Sequence, residues 1–355
     1  MDVDIVVVGS GIAGISCAHF LQEAGYRVLV LEENTISSGA TGQSTGVLWY
    51  GSGLNLVPTI EKFGDEKASS LWKETDTTIK EMKKFITKNE IGCELRNPGG
   101  ILCATNDTED EFLQNEFEAM KRIGFSAKML DAAEVKGYYL ASAFTSGLME
   151  DCSQIRPMKF VSSLTKIMNI DVWQNTAMLG YEEGNNEVIV KTNKQNLKCE
   201  KLIVATNLKS FLGFEKFFTK ESTTALYSKS LGEKIRNIFP QDKIFWKLDE
   251  HYDMIYPLDN RVVLELFKFK EVNTKWSNYF PYLAFEEDHR RMGTWGKSSD
   301  TLPIFGKVSE NILTAIAMGD QGIVMGFTCG RNVLSAIEGG ISDFLEMSNP
   351  ARFQK

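Results

Sequence analysis

The sequence predicts an α/β fold, and three observations in its first thirty-odd residues carry that expectation. Ile5–Val8 is an apolar run of the length and composition of a strand buried on both faces. Gly9, Gly11 and Gly14 follow it as GxGxxG, opening an apolar helix from about Ile12 to Ala24. Gly25 ends that helix, and Val28–Leu31 reads as a second strand with Glu32 at its tip, near the roughly 20-residue spacing at which an acid binds a ribose hydroxyl. Each glycine has a reason. Gly9 allows a tight turn, Gly11 lets backbone approach a pyrophosphate, and Gly14 lets the helix pack close to the strand. The helix N-terminus attracts phosphate through its N–H groups and dipole. The unit is therefore a Rossmann-like crossing for a cofactor with an ADP half.

The remaining elements follow in order. Residues 35–53 are rich in Gly, Ser and Thr and read as a loop that lets backbone approach a ligand. Leu71, Trp72, Ile79, Met82, Phe85 and Ile86 recur at largely helical spacing, giving a helix over 65–89. Asn97-Pro98-Gly99-Gly100 is a turn, 101–104 a strand, and 108–124 a helix with an acidic first turn. A short helical piece over 132–139 and a strand over 147–150 come next, then a helix over 158–168 entered through Arg156-Pro157. Short strands are expected at 171–173, 177–183, 187–192, 196–200 and 201–205, with Gly184-Asn185-Asn186 as a hairpin turn. Residues 211–290 are aromatic and strand-like, most clearly over 261–269, and the last helix is expected over 330–345. No polar linker separates two units, so a second domain is expected to be interleaved with the first.

Composition narrows the function. The chain has 355 residues, 43% hydrophobic and 24% charged, as in an ordinary globular protein. A net charge of −8 argues against a nucleic-acid partner. No apolar run approaches the roughly 20 residues of a membrane span, and Val3–Val8 lacks a signal peptide's basic flank, so a cytoplasmic location is expected. Cys17, Cys93, Cys103, Cys152, Cys199 and Cys329 are scattered and read as reduced, buried thiols. His19, His251 and His289 are too dispersed to suggest a metal site, and His19 reads as structural.

Further motifs carry a resemblance. The acid is followed by Ser38-Gly39-Ala40-Thr41-Gly42-Gln43-Ser44-Thr45-Gly46; Gly147-Leu148-Met149-Glu150 precedes Arg156-Pro157; and a strand ends in Ala205-Thr206-Asn207. Near the C-terminus, 293–306 partly matches GxRPxTPDGLPxIG, and Ala317-Met318-Gly319-Asp320-Gln321-Gly322 stands where a GHGGHG turn is usual. Taken together, the chain resembles the D-amino acid oxidase, glycine oxidase and sarcosine oxidase superfamily of flavoproteins. The resemblance implies a Rossmann-like, glutathione-reductase-like FAD domain with an interleaved α+β substrate domain on an antiparallel sheet. The expected FAD domain covers 1–80, 148–212 and 291–355, and the substrate domain 81–147 and 213–290. It implies non-covalent FAD held by Gly9, Gly11, Ile12, Ala13, Gly14, Glu32, Glu33, Thr41, Gln43, Ser44, Thr45, Gly46, Val47, Met178, Ala205, Thr206, Gly293, Gly319, Asp320, Gln321, Gly322 and Ile323.

The implied reaction is hydride transfer from an amine-bearing carbon of a small amine or amino acid to the flavin, with oxygen or another acceptor closing the cycle. Oligomeric state is left open. Members that oxidise amino acids hold the carboxylate with the Arg of GxRP; here Trp295 stands there. Either the substrate lacks that carboxylate or another cation holds it, and Arg261, Lys229, Arg290 and Arg291 are candidates. Trp295, Tyr252 and Tyr256 are the candidate substrate contacts, Tyr252, Met254 and Tyr256 alternating on one strand face beside His251. Competing readings are a flavin dehydrogenase of a hydroxy acid or polyol phosphate, a tRNA-modifying oxidase, and a flavin-binding protein without activity.

Overall fold

The computed structural model describes residues 3–140, 144–248, 252–267, 277, 284 and 286–353. Two sheets organise them. The first has six strands in the spatial order Ile304–Lys307, Ile312–Ile316, Lys201–Val204, Ile5–Val8, Val28–Leu31 and Asp171–Trp173. All neighbours run parallel except the edge strand Ile304–Lys307. Ile5 and Val7 face a cluster with the helices, while Val6 and Val8 face the separate three-stranded sheet of Met178–Glu183, Val188–Thr192 and Asn196–Cys199. Burial on both faces explains why these strands are unbroken apolar runs.

The second sheet has eight strands: Glu287–Ser298, Phe218–Ser228, Arg261–Leu266, Met254–Leu258, Ile244–Lys247, Gly100–Ala104, Ser146–Glu150 and Ala127–Asp131. Every pairing is antiparallel except Ile244–Lys247 with Gly100–Ala104. The chain passes back and forth between the two sheets. The helix Asp65–Lys88 and the strands Ser146–Glu150 and Glu287–Ser298 run across the junctions expected at 80/81, 147/148 and 290/291.

Several expectations need correction. The helix placed at 330–345 is three shorter ones, Gly322–Arg331, Val333–Glu338 and Asp343–Ser348. Gly326 and Gly330 sit inside the first of them because it packs on the helix Ile12–Glu23. A Cβ on Gly326 would lie 2.8 Å from Ile12 Cγ2, and one on Gly330 2.5 Å from Ser16 Cβ. Gly339, at φ +78°, ends the middle helix. The loop at 35–53 contains a helical turn, Ala40–Gln43, and a strand, Val47–Leu48, paired with Ser153–Gln154. The helix Leu56–Phe63 was not legible because Pro58 interrupts its pattern; its first N–H groups, from Leu56 and Val57, donate to the buried carboxylate of Glu116. The strand Arg261–Leu266 ends before the expected 269, and 268–269 lie outside the described residues. All six cysteines are free and buried, and His19 packs on Phe20 and Phe85.

Candidate active site

A cavity of about 1250 Å³ runs from the C-terminal ends of the parallel strands to the face of the eight-stranded sheet. It exceeds the roughly 300–1,000 Å³ of an ordinary ligand pocket. Gly9, Gly11, Ile12 and Ala13 form its floor at the first crossing, and Glu32 and Glu33 its wall at the second strand. Gly9 holds φ +105°, and a Cβ there would lie 2.4 Å from the Ala205 carbonyl oxygen. Gly14 does not line the cavity; its Cβ would lie 1.9 Å from the Gly9 carbonyl oxygen, so its absence lets the helix approach the turn. Glu32 accepts hydrogen bonds from the Ser10 N–H at 3.0 Å, the Ser10 hydroxyl at 2.7 Å and the Asn34 N–H at 2.8 Å. Those bonds fix a carboxylate whose remaining lone pairs can take further donors.

The short helix Ala40–Gln43 covers the crossing. Thr41 Oγ1 accepts the Ile12 N–H at 3.0 Å, and Thr41, Gln43, Ser44, Thr45 and Val47 all face the cavity. Gly46 does not; it crosses the chain before the helix Pro157–Ile167, where a Cβ would lie 2.0 Å from the Ile155 carbonyl oxygen. Met178, Ala205 and Thr206 line the nucleotide end. Gly293 lines the sheet side, and Gly319, Asp320, Gln321, Gly322 and Ile323 form the start of the helix Gly322–Arg331. A helix N-terminus therefore faces the cavity at the position the glycine turn suggested.

The eight-stranded sheet closes the other end. Along one pleated row Glu265 pairs with Met254, Met254 with Trp246, and Trp246 with Leu102, and all four line the cavity. Trp295 lines it too. Its Nε1 donates to Asp320 Oδ1 at 3.0 Å, and Lys297 Nζ holds the other oxygen at 2.6 Å. Phe267 meets Trp295 edge-on at 6.2 Å. Tyr252 is on the wall, its hydroxyl accepting from Asn55 Nδ2 at 3.3 Å. Tyr256, expected beside it, is fully buried among Tyr227, Val263 and Cys152 and does not reach the cavity. His251 lies outside the described residues.

Sequence reasoning missed two carboxylates on the cavity wall, Glu150 buried and Glu265 half-buried. Glu265 accepts from the hydroxyls of Thr45 at 2.8 Å and Thr223 at 2.9 Å, and burial holds it above the usual carboxylate range. Glu150 accepts from Trp49 Nε1 at 2.9 Å, and burial pushes it up to about 8. Trp49 is stacked on Trp246 with ring centroids 5.7 Å apart. The four cations expected as carboxylate partners are elsewhere: Arg261 pairs with Asp288, Lys229 with Glu286, Arg290 with Glu287, and Arg291 lies over the Tyr227 ring. None of the chain's ten arginines lines the cavity. Among the described lining residues the lysines are Lys209, Lys216 and Lys297; Lys209 pairs with Glu33 and Lys297 with Asp320.

A parallel sheet with a glycine crossing, joined to an antiparallel sheet across one long cavity, is the architecture of a dinucleotide-dependent redox enzyme. The comparisons make that specific: the family described as FAD dependent oxidoreductase matches residues 4–335, and the chain belongs to it and uses FAD. It is 24% identical to a probable oxidoreductase OrdL of Haemophilus influenzae, covering 95% of this chain and 83% of that one. It is 25% identical to a gamma-glutamylputrescine oxidoreductase of Escherichia coli, over 98% of this chain and 86% of that one. The fold matches glycine oxidase from Geobacillus kaustophilus with a TM-score of 0.80, covering 99% of both chains at 16% identity. It matches L-proline dehydrogenase from P. horikoshii with a TM-score of 0.80 over 99% and 98% of the two chains, at 19% identity.

The residues present fit the cofactor. The cradle at Gly9 and Gly11 has no Cβ atoms to block a pyrophosphate, Glu32 lines the wall with carboxylate lone pairs that can take further donors, and no cysteine or histidine lines the cavity among the described residues.

Proposed function

We propose that this chain oxidises the C–N bond of an amine that carries no α-carboxylate for an arginine to clamp. The carrying observation is the composition of the cavity's sheet end. There the half-buried Glu265 shares the wall with Phe267 and Trp295, and none of the chain's arginines lines the described wall. Amino acid substrates need a bidentate cation for their carboxylate, and a wall of aromatic faces and carboxylates suits an ammonium instead. The similarity to a gamma-glutamylputrescine oxidoreductase supports an amine.

FAD, when bound, supplies the acceptor of a hydride from the carbon bearing the nitrogen. The protein's part is binding and orientation. Gly9, Gly11 and the N–H groups of Ile12 and Ala13 receive the pyrophosphate, with Gly14 holding the helix close beneath them. Glu32 takes the ribose hydroxyls, Glu33 lies beside it, and Met178, Ala205 and Thr206 enclose the nucleotide end. Thr41, Gln43, Ser44, Thr45 and Val47, with Gly46 as their hinge, hold the ring side opposite Gly293. Gly319, Asp320, Gln321, Gly322 and Ile323 present a positive helix end there, and Lys297 balances the Asp320 charge.

Glu265 receives the substrate ammonium. Its raised affinity for a proton suits it to take one from the nitrogen, leaving a lone pair that drives the adjacent hydride out. The products on carbon are an imine and, after water adds, a carbonyl compound and a free amine. Trp295, fixed through Asp320, and Tyr252, fixed by Asn55, orient the substrate carbon. The test is anaerobic mixing of the yellow holoenzyme with amines, amino acids and hydroxy acids. Amines bleach the flavin. Bleaching by a hydroxy acid and by none of the amines overturns the reading.

A further inference from the structure

We propose that the substrate is an elongated dication, with one ammonium at Glu265 where C–N oxidation occurs and a second at Glu150 at the far end of the same cavity. This inference rests on the amine reading above. Glu150 is buried and Glu265 half-buried, and both line the cavity. They stand toward opposite ends of one row across the sheet. From the strand of Glu265 the row steps to Met254, Trp246 and Leu102, then to Leu148 on the strand that ends at Glu150. Four steps of about 4.8 Å separate those strands by about 19 Å, which leaves on the order of 10–15 Å between side-chain tips. One stretch of chain anchors both ends: the Thr45 hydroxyl donates to Glu265, and the Trp49 indole donates to Glu150.

The space between the two acids is apolar and aromatic. Trp49 and Trp246 stack at 5.7 Å, with Met254 and Leu102 beside them. Aromatic faces accept methylene groups and attract a nearby cation. Of the lysines on the described wall, Lys209 pairs with Glu33, Lys297 with Asp320, and Lys216 lies over the Phe217 ring, while the row Glu265, Met254, Trp246 and Leu102 carries an acid and no cation. Asp151 and Glu116 add negative potential at Glu150. Glu150 also borders a second cavity of about 350 Å³, whose wall carries Lys80, Lys83, Lys128 and Lys243 along with Asp76 and Asp151. A cation therefore meets Glu150 more favourably from the main cavity.

A monocation leaves Glu150 as a neutral, protonated carboxyl and forgoes the charge-assisted pair that a second ammonium makes there. The experiment measures anaerobic flavin reduction in the holoenzyme with diaminohexane, diaminooctane and diaminodecane, each against the alkylamine of equal length. The expected result is a length optimum at which the diamine half-saturates at least about tenfold lower than its monoamine, a difference of about 1.4 kcal/mol. In Glu150→Gln that ratio collapses toward one. Equal half-saturation of diamines and monoamines at every length in the wild type overturns the dication, as does a ratio unchanged in Glu150→Gln. In either case bleaching by monoamines leaves the C–N reading standing, whereas absence of bleaching by every amine removes both.

Discussion

Replacing Gly9 by alanine tests whether the crossing is a cofactor cradle held by backbone geometry. Gly9 has φ +105°, and an added Cβ would stand 2.4 Å from the Ala205 carbonyl oxygen and 3.0 Å from its carbon. Both are backbone atoms, just past the strand Lys201–Val204 that pairs with Ile5–Val8, so relief requires the two central strands to part. Positive φ on a non-glycine residue costs on the order of 1–3 kcal/mol. The overpacking adds about 1–3 kcal/mol, for a total of about 2–6 kcal/mol, a large share of the 5–15 kcal/mol that keeps a typical protein folded. Two controls separate the terms. Gly25 has φ +94° with nothing within 4 Å of its Cβ position, so Gly25→Ala carries strain alone. Gly92 is exposed, has nothing within 4 Å, lacks a left-handed φ and does not line the cavity, so Gly92→Ala is nearly neutral. The assay is FAD content per protein after gel filtration, with thermal unfolding alongside. Gly9→Ala loses most of its flavin and melts lowest, Gly25→Ala melts slightly lower with full flavin, and Gly92→Ala matches wild type. Full flavin content and an unchanged melting temperature in Gly9→Ala would refute the reasoning.

Other outcomes follow from the same contacts. Gly330→Ala drives a Cβ to 2.5 Å from Ser16 Cβ, which separates the two helices and destabilises the protein by about 1–3 kcal/mol, read by denaturant unfolding. Trp295→Phe removes the indole donor to Asp320; half-saturation by a bleaching amine rises by about fivefold, corresponding to about 1 kcal/mol, while flavin content stays full. Burial pushes Glu150 up to about 8 and Glu116 up to about 7 in the folded chain. Both exceed the value of about 4.3 for an unfolded glutamate. The folded state then binds more protons than the unfolded one, so their stabilising effect is complete below the unfolded value and is lost as pH rises toward 7 and 8. In the flavin-free protein, the melting temperature of Glu150→Gln minus that of wild type therefore becomes more positive from about pH 5 to about pH 8.5; a constant difference contradicts the assignment.

The nucleotide half was legible because its signals are local. Gly9, Gly11, Gly14 and Glu32 lie within one βαβ unit, and Gly9 and Gly14 are explained by contacts inside that unit or just past the adjacent strand Lys201–Val204. The glycine turn at 317–322 was legible as a turn, yet Gly326 and Gly330 were not legible as helix residues. Their requirement is a partner helix some three hundred residues earlier in the chain. The sheet end was read only in part. Tyr252 and Trp295 reach the cavity, but Glu150, Glu265, Trp49 and Trp246 meet there through strand pairings between distant segments, including the parallel pairing of Gly100–Ala104 with Ile244–Lys247. The alternation that placed Tyr256 beside Tyr252 assumed a strand through both, but Tyr252 precedes the strand Met254–Leu258 and has φ +50°. Tyr256 fails to reach the cavity because the packing around Cys152 and Tyr227 buries it. Arg261, Arg290 and Arg291 were plausible by type, and their acidic and aromatic partners hold them elsewhere.

The central claim is that the sheet end receives an amine through carboxylates, with none of the chain's arginines on its described wall to clamp an α-carboxylate. The direct measurement is stopped-flow anaerobic reduction of the holoenzyme by paired compounds, each bleaching amine against the amino acid formed by adding an α-carboxylate. The account predicts that the added carboxylate slows reduction at equal concentration by about tenfold or more, because it would meet Glu265 with no arginine to neutralise it. Faster reduction by the amino acid of each pair would contradict it.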